Sequence, residues 1–381
     1  MNYTSRKTHA IINLTAIKSN YQLIDNLAVN SATIAIIKGD AYGHGAIEVA
    51  KSLDNLVAAF AVAFIDEAVV LRDAGITSPL LILEGPLSVN DFAFAAKHNL
   101  WLMLHNHQQI SDLMKQKKPY LGKIWLKFDT GMNRLGFTAI EIKALMPKVL
   151  SRLLANNKDS LVLCSHFSNA EEKDHPKTLQ QLKDFETIQA QYNCLASLGN
   201  SAGVIQWPQS HYHFTRLGIA LYGINPIPNI HHAGNSIMTA DIDSSAINVS
   251  KALIPVMTLK SSIISLRKLV KGDCVGYGET WQAQRDSVIA TVAIGYADGY
   301  PHNAKSGTPV LINHQRAPLA GAVSMDMITV DVTELTQVNL GDEVELWGEN
   351  LPVEIIAQYV DTISYELLTR VAPRVPKRYL T

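Results

Sequence analysis

Eight short apolar runs recur along the first part of the chain: "TIAIIK" (33–38), "AFAVAF" (59–64), "PLLILE" (79–84), "LWLML" (100–104), "KIWLKFD" (123–129), "LVLCSH" (161–166), "CLASLGN" (194–200) and "FTRLGIALYG" (214–223). Amphipathic stretches such as "GAIEVAKSLDN" and "PKTLQQLKDFETIQAQY" lie between most of them. Continuous apolar strands separated by helical segments build parallel sheets, because both faces are covered. Eight such units in roughly two hundred residues predict an α/β fold with an N-terminal (β/α)8 TIM-like barrel. The barrel is expected over residues 10–230.

The texture changes after about residue 230. The polar stretch "NIHHAGNSIMTADIDSSAINVS" (229–250) reads as a linker or irregular connection. Beyond it, β-branched runs are divided by turn signals such as "VKGDCV", "AKSGTP" and "NLGDEV". Residues 231–381 are expected to form a mostly antiparallel, mostly β C-terminal domain joined by the N-terminal segment 1–9. A short helix is expected near "PVEIIAQYVD".

Charge excludes several classes of partner. Lys and Arg total 33 against 34 Asp and Glu, so no basic field awaits nucleic acid. No apolar run approaches membrane-spanning length, and the N-terminus does not read as a signal peptide. Three widely spaced cysteines, Cys164, Cys194 and Cys274, argue against a disulfide framework or a zinc site. No metal is expected, and a cytoplasmic location is.

Strand ends then draw the eye. Lys38, Lys127, His166 and Asn200 fall at or near C-terminal strand ends, and Arg216 falls inside the eighth run. That end of a barrel carries the active site, so residues scattered in sequence would converge. Lys38, in "IAIIKGDAYGHG", is either a solvated lysine at a strand end or an amine at the mouth of a site. A lysine in partly apolar surroundings has its charged form disfavoured and can form a Schiff base with a carbonyl.

The chain resembles the bacterial alanine racemases, fold-type III enzymes that use pyridoxal 5′-phosphate (PLP). "KGDAYGHG" (38–45) resembles the family's cofactor-lysine motif, and "KFDTGMNRLGF" (127–137) its second signature. "CSHFSNAEE", "LGNSAG", "RLGIALYG", "VGYGET", "IGYADGY", "SMDM" and "SYELLTRVAPRVPKRY" follow in family order. The departures are Gly39, Ser324 and Met327, where alanine, cysteine and glutamine are commoner. None of these positions holds a base.

The resemblance implies two-base interconversion of L-alanine and D-alanine, supplying D-alanine for peptidoglycan or degrading it. Lys38 would hold PLP and serve one face of Cα, and Tyr277 the opposite face with His166 as its hydrogen-bond partner. Arg216 would face the pyridine nitrogen; a guanidinium stays protonated, so that nitrogen should not be. Ser201, Gly218 and Ile219 would bind the phosphate, since barrels often do so after strands seven and eight. Asn200 belongs to the same cofactor set, and Tyr42 and Tyr365 would add hydroxyls. Arg134 would reach the cofactor's phenolate oxygen and the substrate carboxylate. Met325 would offer its N–H to that carboxylate, Asp326 would hold its loop, and Tyr296 would narrow the entrance. Lys127 matches a lysine carbamylated in many members. A head-to-tail homodimer is implied, although the sequence leaves open whether Tyr277 acts in its own chain or a partner's.

From the residues alone, blander readings stand beside these: a strand aromatic for Tyr277, a satisfied core histidine for His166, a strand-to-helix bridge for Arg216, an acid-paired amine for Lys127. Rival functions are a racemase of broader specificity such as serine, a fold-type III amino-acid decarboxylase, and a PLP-binding protein without turnover.

Overall fold

The structure, a computed structural model, describes residues 6–153, 158–192, 194–227, 249 and 251–381. The predicted linker 229–250 therefore lies outside the described residues apart from Val249, as do the first five residues of segment 1–9. The chain divides into two compact units. One comprises Lys18–Ala41 and Ala46–Leu253; the other comprises Met1–Ile17, Tyr42–Gly45 and Ile254–Thr381.

Strand β1 (His9–Asn13) belongs to the second unit. The barrel of the first unit is built from β2 (Ala32–Ile36), β3 (Ala59–Val62), β4 (Leu80–Ile82), β5 (Leu100–Leu104), β6 (Ile124–Lys127), β7 (Leu161–Cys164), β8 (Leu195–Ser197) and β9 (Phe214–Leu217), closed in that order. All eight apolar runs thus supply strands, each parallel to its neighbours. The eighth run is strand only as far as Leu217; Ile219–Tyr222 coil into a 3-10 turn. Tyr222 is buried there and donates its hydroxyl to the Ile36 carbonyl at 2.8 Å.

Alternation along a strand puts residues i and i+2 on one face. Trp125 shares a face with Lys127 in β6, and Phe214 shares one with Arg216 in β9. Trp101, Trp125 and Phe214 meet with ring centroids 5.2–6.3 Å apart. All three stand at or next to the first residue of their strands. One end of the barrel is therefore plugged by aromatic rings, and the strand ends beyond it carry the cations.

The second unit is an eight-stranded sheet with a path β15-β14-β17-β10-β1-β18. Its members are β10 (Met257–Leu269), β13 (Ser287–Val292), β14 (Pro309–Ile312), β15 (Gln315–Pro318), β16 (Ile328–Asp331), β17 (Glu343–Trp347) and β18 (Lys377–Leu380), with β1. Strands β11 (Cys274–Val275) and β12 (Trp281–Gln282) form a separate hairpin. Strand β1 runs antiparallel to β10 and parallel to β18, so residues near both termini share one sheet. The sequence reading began the barrel at residue 10; Ala10–Asn13 instead satisfy their backbone groups against β10 and β18. The helix read near "PVEIIAQYVD" is Val353–Tyr359.

Candidate active site

Strand β2 ends one residue before Ile37 and Lys38, and the backbone then turns left-handed. Gly39, Asp40, Ala41 and Tyr42 have φ of 62°, 54°, 55° and 49°. Only glycine takes this conformation freely, and each L-residue in a left-handed helical turn costs roughly 1–2 kcal/mol. Side chains hold the turn. Glu67 accepts from the Gly39 N–H at 2.7 Å with one oxygen, and from Ala63 N–H (2.7 Å) and Phe64 N–H (3.2 Å) with the other. Asp40 accepts from the Ala46 N–H at 2.8 Å. The result fixes the backbone from which the half-buried Lys38 projects.

Arg216 is buried inside the barrel. Its Nη1 donates to Ser197 Oγ at 2.5 Å. Its Nη2 reaches the Ser165 carbonyl (2.7 Å), the Leu198 carbonyl (3.1 Å) and His166 Nδ1 (3.3 Å). A guanidinium has only donors, so Nδ1 of a neutral His166 accepts and Nε2 carries the proton. Burial, followed by the charges of Lys127, Arg216, Arg134 and Lys38, holds His166 well below the usual histidine range. Four cations thus act on one imidazole, Arg216 by direct contact.

Burial likewise brings Lys127 down to about 8, with Arg216 and Arg134 adding to the fall while Cys164 and Asp129 oppose it. Gly136 lets the following loop fold back over this lysine: at φ 122° a Cβ there would lie 2.9 Å from Lys127 Cγ. The Phe137 N–H donates to the Lys127 carbonyl and the Asp129 N–H to the Phe137 carbonyl, both at 2.9 Å. That hairpin carries Arg134, which is exposed. Among the described residues, no carboxylate lies within 4.0 Å of Lys38, Lys127, Arg134 or Arg216 as an ion-pair partner.

After β8, Asn200 caps the helix Ser201–Gln206 by accepting from the Gly203 N–H at 2.8 Å. Ser201 Oγ accepts from Gly218 N–H (2.9 Å) and Ala220 N–H (3.4 Å). The buried N–H groups of Ser201, Ala202 and Ile219 find no acceptor among the described residues. Buried amides are nearly always paired, so these three ask for an acceptor from outside the chain. Uncompensated cations beside orphaned amides suit a phosphorylated, anionic cofactor and a carboxylate substrate. PLP fits this donor set.

The remaining predicted residues lie in the second unit. Tyr277 heads the turn Tyr277–Glu279 between β11 and β12 and is 78% exposed. Backbone bonds weld Tyr296 N–H to the Ser324 carbonyl (3.1 Å) and Ala297 N–H to the Met325 carbonyl (3.0 Å). The Met325 N–H takes no acceptor among the described residues. Asp326 pairs with Arg374 at 2.7 Å, and Arg374 also grips the fully buried Asp298, which pairs in turn with Arg6. Tyr42 and Tyr365 meet edge to face at 5.7 Å, and burial, then Tyr365, pushes the Tyr42 phenol up.

Family models for the alanine racemase N-terminal domain and C-terminal domain match residues 12–226 and 256–379. The chain belongs to the alanine racemase family. It is 42% identical over 373 residues to the alanine racemase of Alteromonas mediterranea, covering 98% of each. The biosynthetic alanine racemase of Pseudomonas aeruginosa superimposes with a TM-score of 0.88 at 39% identity, over 99% of this chain and all of that one. The alanine racemase of Bartonella henselae, whose structure contains covalently bound pyridoxal phosphate, superimposes with a TM-score of 0.85 at 29% identity, over 99% of this chain and all of that one.

Several contributors escaped the sequence reading: Glu67, Ser165, Ser197, Thr130 and Gln181. Gln181 alone left a trace. It occupies a core position in the Thr178, Gln181, Phe185, Ile188 stripe of its helix, where an apolar residue is the norm.

Proposed function

We propose that this chain interconverts L-alanine and D-alanine, with Lys38 and Tyr277 serving opposite faces of Cα. The observation that carries the reading is the ring of uncompensated cations around His166, set beside buried amides without acceptors. PLP supplies the electron sink that makes the Cα proton acidic. Everything else falls to the protein.

Lys38 would hold the cofactor, and its Nζ would accept or return the Cα proton. The free N–H groups of Ser201, Ala202 and Ile219 would hold the phosphate, with Gly218, whose N–H is engaged by Ser201 Oγ, shaping the turn that Asn200 caps, and Tyr42 and Tyr365 would add neutral hydroxyls. With the cofactor bound, Arg216 would face its ring nitrogen and would disfavour a second positive charge there. Arg134 and the Met325 N–H orient the substrate carboxylate, Asp326 steadies the Met325 loop, and Tyr296 narrows the approach.

His166 acts through its Nε2–H. With the ring held neutral and Nδ1 occupied by Arg216, its Nε2–H is left to donate, and the proposed acceptor is the oxygen of Tyr277. Tyr277 is exposed in the single chain, as is Met325. We therefore propose a head-to-tail homodimer in which each chain lends these residues to the other's site. Lys127, with a substantial neutral fraction near pH 8, is suited to carbamylation: its amine adds to carbon dioxide, releases a proton, and becomes an anion facing Arg134. Among the described residues no helix is long and apolar enough to cross a membrane. We propose a cytoplasmic location, where D-alanine would be supplied for peptidoglycan or degraded.

Incubation of the PLP-loaded protein with single L-amino acids, followed by chiral chromatography, tests the reading. D-alanine should form fastest. Preferred turnover of serine would move the specificity to a broader racemase. Bound PLP with carbon dioxide release from lysine or arginine would point to decarboxylation, and bound PLP without any turnover to a binding protein.

A further inference from the structure

Gln181 lies in the helix Pro176–Tyr192 and is fully buried. Its Nε2 donates to the His166 carbonyl at 3.0 Å and to Thr130 Oγ1 at 3.1 Å. Its Oε1 accepts from the Ser168 N–H at 3.0 Å and lies 3.1 Å from the Ser168 hydroxyl, whose single proton also has Asn169 Oδ1 as a shorter partner at 2.7 Å. A carboxamide offers two donors and two lone pairs; both donors and at least one lone pair are used. The orientation is not ambiguous: the Ser168 N–H can only donate, and the His166 carbonyl can only accept.

Thr130 Oγ1 also meets Ser165 Oγ at 2.8 Å. Residues 165–168 are thus held from two directions. Arg216 takes the Ser165 carbonyl and His166 Nδ1; Gln181 takes the His166 carbonyl and the Ser168 N–H, and reaches Ser165 through Thr130. Thr130 stands three residues after Lys127 and four before Arg134 in sequence. One buried amide therefore ties together the loops after β6 and β7.

We infer that Gln181 is a positioning residue for the reaction: its carboxamide sets His166 against Arg216 and keeps the Arg134 loop in register with that pair. The inference rests on the reading of His166 and Arg216 as members of the reacting site. A glutamine needed only to fill space could be replaced by methionine, which has nearly the same length and volume. Such a replacement leaves the His166 carbonyl and the Ser168 N–H without their partner, and buried groups in that state shift to find another.

The test compares Gln181→Met with the parent enzyme, and adds Thr130→Val, a milder change that breaks one junction and keeps volume. The first readout is the His166 side chain in long-range proton–nitrogen spectra of 15N-histidine-labelled holoenzyme, assigned by the signal lost in His166→Asn. Gln181→Met should move the Nδ1 resonance away from its hydrogen-bonded position and raise the imidazole's titration midpoint. Thr130→Val should do the same to a smaller extent. The second readout is kinetic: kcat should fall about tenfold or more while KM changes less than about threefold, as for an interaction made mainly in the transition state. Unchanged His166 resonances and kcat in both variants, with only the melting temperature lowered, would overturn the inference. The spectra decide the placement of His166 even where alanine proves not to be the substrate, so failure of the functional reading and failure of this one remain distinguishable.

Discussion

His166 Nδ1 and Arg216 Nη2 lie 3.3 Å apart, a neutral imidazole accepting from a permanent cation. The contact fixes the tautomer, because the only proton left to His166 is on Nε2. Arg216→Gln removes that donor and one of the charges that depress the imidazole. The His166 midpoint should rise, and Ser165 and Leu198 carbonyls should lose their partner. Loss of these buried bonds should cost about 1–3 kcal/mol in denaturant unfolding, and racemisation should fall by orders of magnitude.

The depressed His166 also makes stability depend on pH. Above the unfolded value of about 6.5, neither state binds the proton and the group contributes nothing. As pH falls through that value, the unfolded chain protonates while burial and the surrounding cations keep the native imidazole neutral. Stability is therefore lost on the acid side. His166→Asn should flatten the slope of unfolding free energy between pH 6.5 and pH 5, measured by urea titration.

Much of this architecture was legible in the sequence, and for a physical reason. A parallel barrel strand is buried on both faces, so it shows as an unbroken apolar run; a lysine or arginine inside or ending such a run is conspicuous. The contacts between residues far apart in sequence were not legible. Arg6 and Asp298 are 292 positions apart, and no local pattern announces their ion pair. Glu67 sits in an exposed-looking helix start, and its carboxylate could equally have faced water. Strand β1 has the same apolar look whether it joins a barrel or a sheet.

The left-handed turn after Lys38 reverses an ordinary rule. Glycine for alanine usually destabilises a helical position. At Ala41, φ is 55°, so Ala41→Gly relieves roughly 1–2 kcal/mol of strain against about 0.4–1 kcal/mol of added unfolded-state entropy. Thermal unfolding of Ala41→Gly should show unchanged or raised stability. Glu67→Ala should have the opposite sign, losing about 1–3 kcal/mol as three N–H groups lose their acceptor.

The aromatic plug bears weight without touching the chemistry. Trp125 is fully buried between Trp101 and Phe214. Trp125→Ala should cost about 3–5 kcal/mol in unfolding free energy. At a temperature where the variant stays folded, the pH profile of its activity should match the parent's.

If two different residues serve the two faces of Cα, deuterium exchange will separate their contributions. L-alanine and D-alanine would be incubated separately with PLP-loaded Tyr277→Phe in heavy water, and Cα deuterium followed by proton NMR with chiral separation. Lys38 should still exchange the Cα proton of one enantiomer with retention, while exchange of the other and racemisation should be nearly abolished. Parent-like racemisation from both enantiomers, with Cα deuterium in each product, would contradict the two-base reading.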